Sequence, residues 1–139
     1  MRERNRHIEV FFYKKTPQKG ILFLLMKRIP QRGGFWQPLT GTVEKGETLE
    51  ETIKREIGEE TGITDRLKLI NSGYSFEFSE NEEDFIEYVY GVEVASDAKI
   101  VLSGEHEECR WVDKNEAIRL LKWPGNKVGL GSLCKILKV

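Results

Sequence analysis

The stretch GTVEKGETLEETIKREIGEETGI, residues 41–63, decides how this chain is read. Thr48 with Glu51 three residues on is a capping box, which predicts a helix from Thr48 to Thr61 with Gly62 as its stop. At about 100° per residue, Leu49, Ile53 and Ile57 form a stripe roughly 80° wide that must face a core. Glu56 and Glu60 fall within about 20° of Leu49 at the edge of that stripe, and Glu59 about 60° further round. Glu51, Lys54 and Gly58 take the opposite face. A solvated acidic surface explains Glu51 and Lys54. It explains Glu56, Glu59 and Glu60 badly, because carboxylates crowded beside a core repel and resist ionising together. A hard divalent cation removes the conflict, since Mg²⁺ prefers carboxylate oxygens and water.

Outward from the helix, Ile8–Tyr13 and Ile21–Arg28 read as strands, the second apolar on both faces and so suited to a covered central position. Thr16–Gly20 is a turn, Gln31–Gly34 a loop and Phe35–Thr42 a short extended piece. Leu67–Phe78 and Phe85–Val94 alternate as a long hairpin, with Tyr74, Phe76 and Phe78 on one face and Glu80–Asp84 as a solvated tip. Cys109–Val112 is another strand. Asp113 with Glu116 caps a helix to Lys122, Pro124-Gly125 breaks it, and Lys127–Leu137 is a final helix. The order predicts an α/β fold, a mixed sheet with helices packed on it.

The 139 residues have room for one domain, 1–139, able to bury a core without staples. The 39% hydrophobic and 32% charged residues exclude a disordered chain. Lys plus Arg number 22 against 23 Asp plus Glu, a balance that argues against a nucleic-acid partner. The longest apolar run, Ile21–Met26, is too short to span a bilayer, so no membrane partner is expected. The basic Met1–His7 segment has no apolar region after it, so no secretory signal is expected. Cys109 and Cys134 have no metal-ligand spacing, as in a reduced cytoplasmic protein.

Gly41, Glu47, Arg55-Glu56-Ile57, Glu59-Glu60 and Gly62-Ile63 reproduce the pattern GX5EX7REUXEEXGU, U being apolar, at every specified position. From average residue usage a chance match is of order 10⁻⁹ to 10⁻¹⁰ per start position. This is the Nudix box, and the chain resembles a Nudix hydrolase. The resemblance implies an α/β/α sandwich and Mg²⁺- or Mn²⁺-dependent water attack on a phosphorus of a nucleoside diphosphate linked to another group. It implies Glu56, Glu59, Glu60 and the Gly41 carbonyl as metal ligands, Glu59 also as catalytic, and Arg55 as the residue orienting a catalytic carboxylate. Glu47 is expected behind the ligands or joined to the metal through water. In Gly104-Glu-His-Glu-Glu-Cys-Arg-Trp111, Glu105 is the candidate for a further ligand or base, and His106 for a structural hydrogen bond.

Phe35-Trp36-Gln37, Glu105-His106, and Trp123 followed by Asn126 are similar to the dihydroneopterin triphosphate and small nucleoside triphosphate pyrophosphohydrolases. That comparison places Trp36 or Trp123 on a base or pterin, Gln37 nearby, and Lys27 or Arg28 on phosphate. The implied partner is a nucleotide or pterin phosphate, and a homodimer is compatible with the family. No proline lies between Pro38 and Pro124, which weighs against an ADP-ribose pyrophosphatase; Ser79-Glu80-Asn81 stands where dinucleoside polyphosphate hydrolases carry a tyrosine. An isomerase of this fold would need a catalytic cysteine, and neither cysteine is near the box. A catalytically silent nucleotide-binding domain would show a degraded box, whereas Arg55 to Glu60 is intact.

Overall fold

A computed structural model describes residues 5–66 and 68–139. The central strand is β1 (Asn5–Thr16), whose residues Ile8 to Tyr13 are all buried. Its alternation divides the core: Ile8, Val10 and Phe12 face one side of the sheet, Phe11 and Tyr13 the other. A tight turn leads to β2 (Gly20–Arg28), antiparallel to β1 only from Gly20 to Phe23. Beyond Phe23 the two strands part. Into the gap come β3 (Trp36–Gln37), which pairs with Met26 and Lys27, and β4 (Leu39–Thr42), which pairs with His7–Val10. A short 3-10 turn at Pro30–Arg32 begins one residue before the expected Gln31–Gly34 loop and runs into it.

The hairpin is β5 (Lys68–Glu80) and β6 (Glu83–Glu93), and β6 runs parallel to β1 over Asn5–Tyr13. Leu67, the expected first residue of the hairpin, lies outside the described residues, as do residues 1–4 of the basic amino-terminal segment. The tip is tighter than the five-residue loop expected. Glu80 pairs with Glu83, and only Asn81 and Glu82 turn the chain, both at positive φ (51° and 63°), the conformation that matches strand twist in a two-residue hairpin. The last strand, β7 (His106–Val112), starts three residues earlier than expected, because it pairs along β2 back to Arg28 past a bulge at Lys27/Arg28.

Helix α1 (Leu49–Thr61) carries the capping box and ends on Gly62 at φ 68°. It packs through Ile53 and Ile57 on Ile8, Val10, Phe12, Leu24, Met26 and Leu39. Helices α2 (Lys114–Leu120) and α3 (Pro124–Leu137) cover the other face, where Ala117, Leu121, Leu130 and Leu133 meet Phe11, Tyr13, Phe23, Leu25 and Val89. Each fully buried aliphatic side chain of this kind contributes about 1.5–3 kcal/mol. Gly91 lets α3 approach β6, since a Cβ there would lie 3.0 Å from Leu133 Cδ2. Two expectations are corrected. Helix α2 stops at Leu120, because Leu121 is drawn into a bridge with Trp36. Pro124 opens α3 instead of merely breaking the chain, since its missing N–H costs nothing in a first turn. The result is an α/β/α sandwich around a mixed sheet, and among the described residues no helix is long and apolar enough to cross a membrane.

Candidate active site

Helix α1 sets the box carboxylates at different depths. Glu56 and Glu60 are 13% and 12% exposed and Glu59 is 56% exposed, as their positions around the helix require. The buried sector extends further than the expected stripe, for Thr52 and Thr61 are buried while Leu49 is only half-buried.

Arg55 is the hub. Its Nε and Nη2 donate to the two oxygens of Glu47 at 2.9 and 3.0 Å, a two-pronged pair. Nη1 donates to Glu56 Oε1 at 2.8 Å and approaches Glu59 Oε2 at 3.5 Å, and Nη2 also donates to the Thr42 carbonyl at 3.0 Å. Glu47 accepts further bonds from the Glu44 N–H and the Thr52 hydroxyl. Its carboxyl is held down to about 2, chiefly by the Arg55 hydrogen bonds and then by the Glu44 N–H. Glu56 moves the other way: burial pushes it above the usual carboxylate range, Arg55 opposes, and Glu59 and Glu60 add to the rise. The residue thus sits where its charge is least welcome and needs cationic company.

Gly41 faces Glu56 from β4. A Cβ at Gly41 would sit 2.5 Å from Glu56 Cγ, 2.6 Å from Cδ and 2.9 Å from Oε1. The glycine is needed for this close approach and not for a special backbone angle, since it is absent from the positive-φ residues. Its neighbours Thr40 and Thr42, one residue either side on the strand, point to the opposite face.

The far side of the site comes from the loop before β7 and the first residue of that strand. The Ser103 hydroxyl donates to Glu60 Oε2, and His106 Nδ1 lies 3.7 Å from the same oxygen. His106 is buried, its Nε2 lies 3.0 Å from Gln37 Nε2, and burial followed by the Arg28 charge lowers its pKa. The acids from Glu105 to Glu108, in the loop and at the start of β7, diverge. Glu105 pairs with Arg32 at 3.4 Å, Glu107 with Lys27 at 3.5 Å and Glu108 with Arg110 at 3.2 Å.

The expected substrate residues separate as well. Gln37 is 5% exposed and its amide is engaged by His106. Trp36 is half-buried under the Arg110 guanidinium, 4.8 Å from the ring centre. Trp123 is 48% exposed at the start of α3, edge-on to Phe35 at 6.0 Å. Arg28 is half-buried 5.7 Å from the Phe35 ring, and its Nε is buried without a hydrogen-bond partner. Sequence reasoning missed two features. Ser103 carried no signal beyond its closeness to the Glu105-His106 motif. Glu9, fully buried on β1, accepts from the Asn126 amide of α3, leaving Glu9 Oε2 and Asn126 Oδ1 without partners. Burial first and Glu87 second raise the Glu9 pKa, against the Asn126 hydrogen bond. An acid interrupting the apolar run Ile8–Tyr13 was the available sign.

Among the described residues no three acidic, histidine or cysteine side chains already converge as a metal cluster, because Glu56 is turned to Arg55 and Glu60 to Ser103. The donor chemistry nevertheless fits a hard cation. Three carboxylates at i, i+3 and i+4 share one helix edge, and the glycine strand opposite leaves no side chain between itself and Glu56.

A mixed sheet lies between helices, and the carboxylates clustered on one helix edge stand against a strand that carries a glycine. The NUDIX domain matches residues 5–130, and the chain belongs to that family. Enzymes of the family generally use divalent cations. A Nudix hydrolase from Listeria monocytogenes superposes with a TM-score of 0.81 at 31% identity, covering 95% of this chain and 93% of that one. The octanoyltransferase of Myxococcus xanthus is 39% identical over 106 residues, which are 73% of this chain but 29% of that protein. The ADP-ribose pyrophosphatase of Methanocaldococcus jannaschii is 32% identical over 100 residues, 72% of this chain and 58% of that protein. The dihydroneopterin triphosphate diphosphatase of Escherichia coli is 30% identical over 121 residues, 78% of this chain and 79% of that protein.

Proposed function

We propose that residues 1–139 form one Nudix pyrophosphohydrolase domain that hydrolyses a diphosphate linkage in a nucleoside or pterin triphosphate. The observation that carries the reading is the Arg55 hub. One guanidinium holds Glu47 and Glu56 and reaches Glu59 beside the Gly41 strand, so the carboxylates of the box are gathered around a single cation. Glu56, Glu59, Glu60 and the Gly41 carbonyl are the groups that would hold Mg²⁺ or Mn²⁺. Such an ion neutralises charge on phosphate oxygens and favours attack by water at phosphorus.

The chain's own residues supply the rest. Arg55 restrains Glu56 and keeps Glu47 ionised, so the edge of α1 presents carboxylates in a set order. Glu59, the most exposed of the three, can accept the proton of a water, and Glu105 is the second candidate, its half-exposed carboxylate restrained by Arg32. Trp123 supplies an exposed ring for a base or pterin, and Arg28 a half-buried cation for phosphate. The Escherichia coli relative, matched over most of both chains, supports a pterin triphosphate; the Methanocaldococcus relative keeps ADP-ribose in the comparison.

The test is a Mg²⁺-dependent panel of nucleoside triphosphates, dihydroneopterin triphosphate, dinucleoside polyphosphates and ADP-ribose, with products identified. The triphosphates are expected to turn over fastest, and preferred cleavage of ADP-ribose would replace the substrate assignment. Glu59→Gln is expected to remove nearly all activity with the melting temperature kept. A folded Glu59→Gln protein with ordinary turnover would overturn the site. Nucleotide binding without turnover by the wild type would make the domain a sensor.

A further inference from the structure

We infer that Ser103 is a positioning residue for Glu60: its hydroxyl fixes one carboxylate oxygen, Oε2, and leaves the other, Oε1, untied for a cation. This rests on the proposal above that Glu60 is a metal ligand.

The direction of the hydroxyl proton follows from its neighbours. Ser103 Oγ accepts the Glu105 N–H at 3.3 Å, which occupies a lone pair and leaves the O–H to donate to Glu60 Oε2. Ser103 is itself held by the main chain. Its N–H donates to the Glu60 carbonyl at 3.2 Å, and the Val101 N–H to the Thr61 carbonyl at 2.9 Å. These are two of the carbonyls that the end of α1 leaves unpaired, so the loop seals the helix terminus and places the hydroxyl in the same step. The His106 N–H closes the turn on the Ser103 carbonyl at 3.3 Å.

A second group faces the same oxygen. Gln37 Nε2 donates to His106 Nε2, so the ring proton resides on Nδ1, the buried nitrogen 3.7 Å from Glu60 Oε2 with no hydrogen-bond partner. Both Ser103 and His106 therefore address Oε2, and no hydrogen bond from the described residues reaches Oε1. A carboxylate with one oxygen tied keeps the other free for a cation, and its rotamer is set before the cation arrives. Glu59, more exposed and lacking such a tie, has no comparable restraint beyond its 3.5 Å approach to Arg55.

The test measures Mn²⁺ binding to the substrate-free protein by the electron paramagnetic resonance signal of unbound Mn²⁺, in wild type, Ser103→Ala, Ser103→Thr and Glu60→Gln. Loss of an outer hydrogen bond to a ligand weakens metal affinity by roughly 10- to 100-fold. Ser103→Ala is expected to show that loss, and Ser103→Thr, which keeps the hydroxyl, to stay near wild type. Melting temperatures taken without metal are expected to agree among the Ser103 variants, a result that separates positioning from folding. If Glu60→Gln weakens Mn²⁺ binding while Ser103→Ala does not, the inference falls and the metal assignment stands. Equal weakening in both Ser103 variants overturns it too. If Glu60→Gln binds Mn²⁺ as the wild type does, the metal assignment itself fails.

Discussion

Replacing Gly41 by alanine would place a methyl carbon 2.5 Å from Glu56 Cγ and 2.6 Å from Cδ. Carbon atoms settle at about 3.5 Å or beyond, so one partner must retreat by about 1 Å. The atoms struck are the outer part of the side chain, up to the carboxyl carbon and Oε1 at 2.9 Å, whereas β4 is tied to β1 by paired residues from His7 to Val10. The side chain therefore gives way before the strand does, at the cost of its contacts. Overpacking of this kind costs about 1–3 kcal/mol, and at roughly 3 °C per kcal/mol for a domain of this size the melting temperature falls by about 3–9 °C. Displacement of Glu56 also breaks its 2.8 Å pair with Arg55, and a 1 Å misplacement at a reacting site costs about 100-fold in rate. Thermal melts and initial rates with Mg²⁺ measure both effects. Gly58→Ala is the control, because a Cβ there meets nothing within 4 Å, and alanine for glycine inside a helix stabilises by about 0.5–1 kcal/mol. A Gly41→Ala protein indistinguishable from wild type in both melt and rate would refute the claim that this contact positions Glu56.

Arg55→Lys keeps the charge but loses the fork that serves Glu47, Glu56 and Thr42 together, so a fall in turnover of roughly 100-fold is expected by steady-state kinetics. Glu47, held down to about 2, stabilises the fold above the ordinary carboxylate pKa, and that contribution disappears as pH falls from about 4.5 toward 2. Acid unfolding followed by circular dichroism should therefore begin at higher pH in Arg55→Lys than in wild type; coincident acid transitions would contradict the role given to the hydrogen bonds. Glu9, raised by burial, contributes in the opposite sense: its stabilisation is full below the ordinary value and is lost as pH rises through the raised one. Glu9→Gln should flatten the decline of melting temperature with rising pH above about 4.5, and parallel curves would sink the prediction. Glu105→Gln should lower turnover tenfold or more, by general-base magnitudes, while leaving the melt in place, because a half-exposed pair with Arg32 contributes about 0–1 kcal/mol; an unchanged rate would return Glu105 to a solvated loop.

What the sequence determined by itself is the content of α1. Capping by Thr48 and Glu51, the stop at Gly62 and the shared edge of Glu56, Glu59 and Glu60 all follow from interactions within a few residues and a 3.6-residue turn. The strands were legible for the same local reason, with Ile8–Tyr13 and Ile21–Arg28 lying inside β1 and β2. Where the reading fell short, a distant partner had intervened: β2 drew β7 back to His106, and Trp36 shortened α2 at Leu121. The surroundings of the carboxylates were decided only by tertiary structure. Ser103 reaches Glu60 across 43 positions, Gln37 reaches His106 across 69, and Asn126 reaches Glu9 across 117. Strand register and helix docking make these pairs, and both are set by summing weak contacts over the whole core. A helix can announce its own face from its own residues, but which serine, glycine or histidine stands opposite depends on how every other element packs.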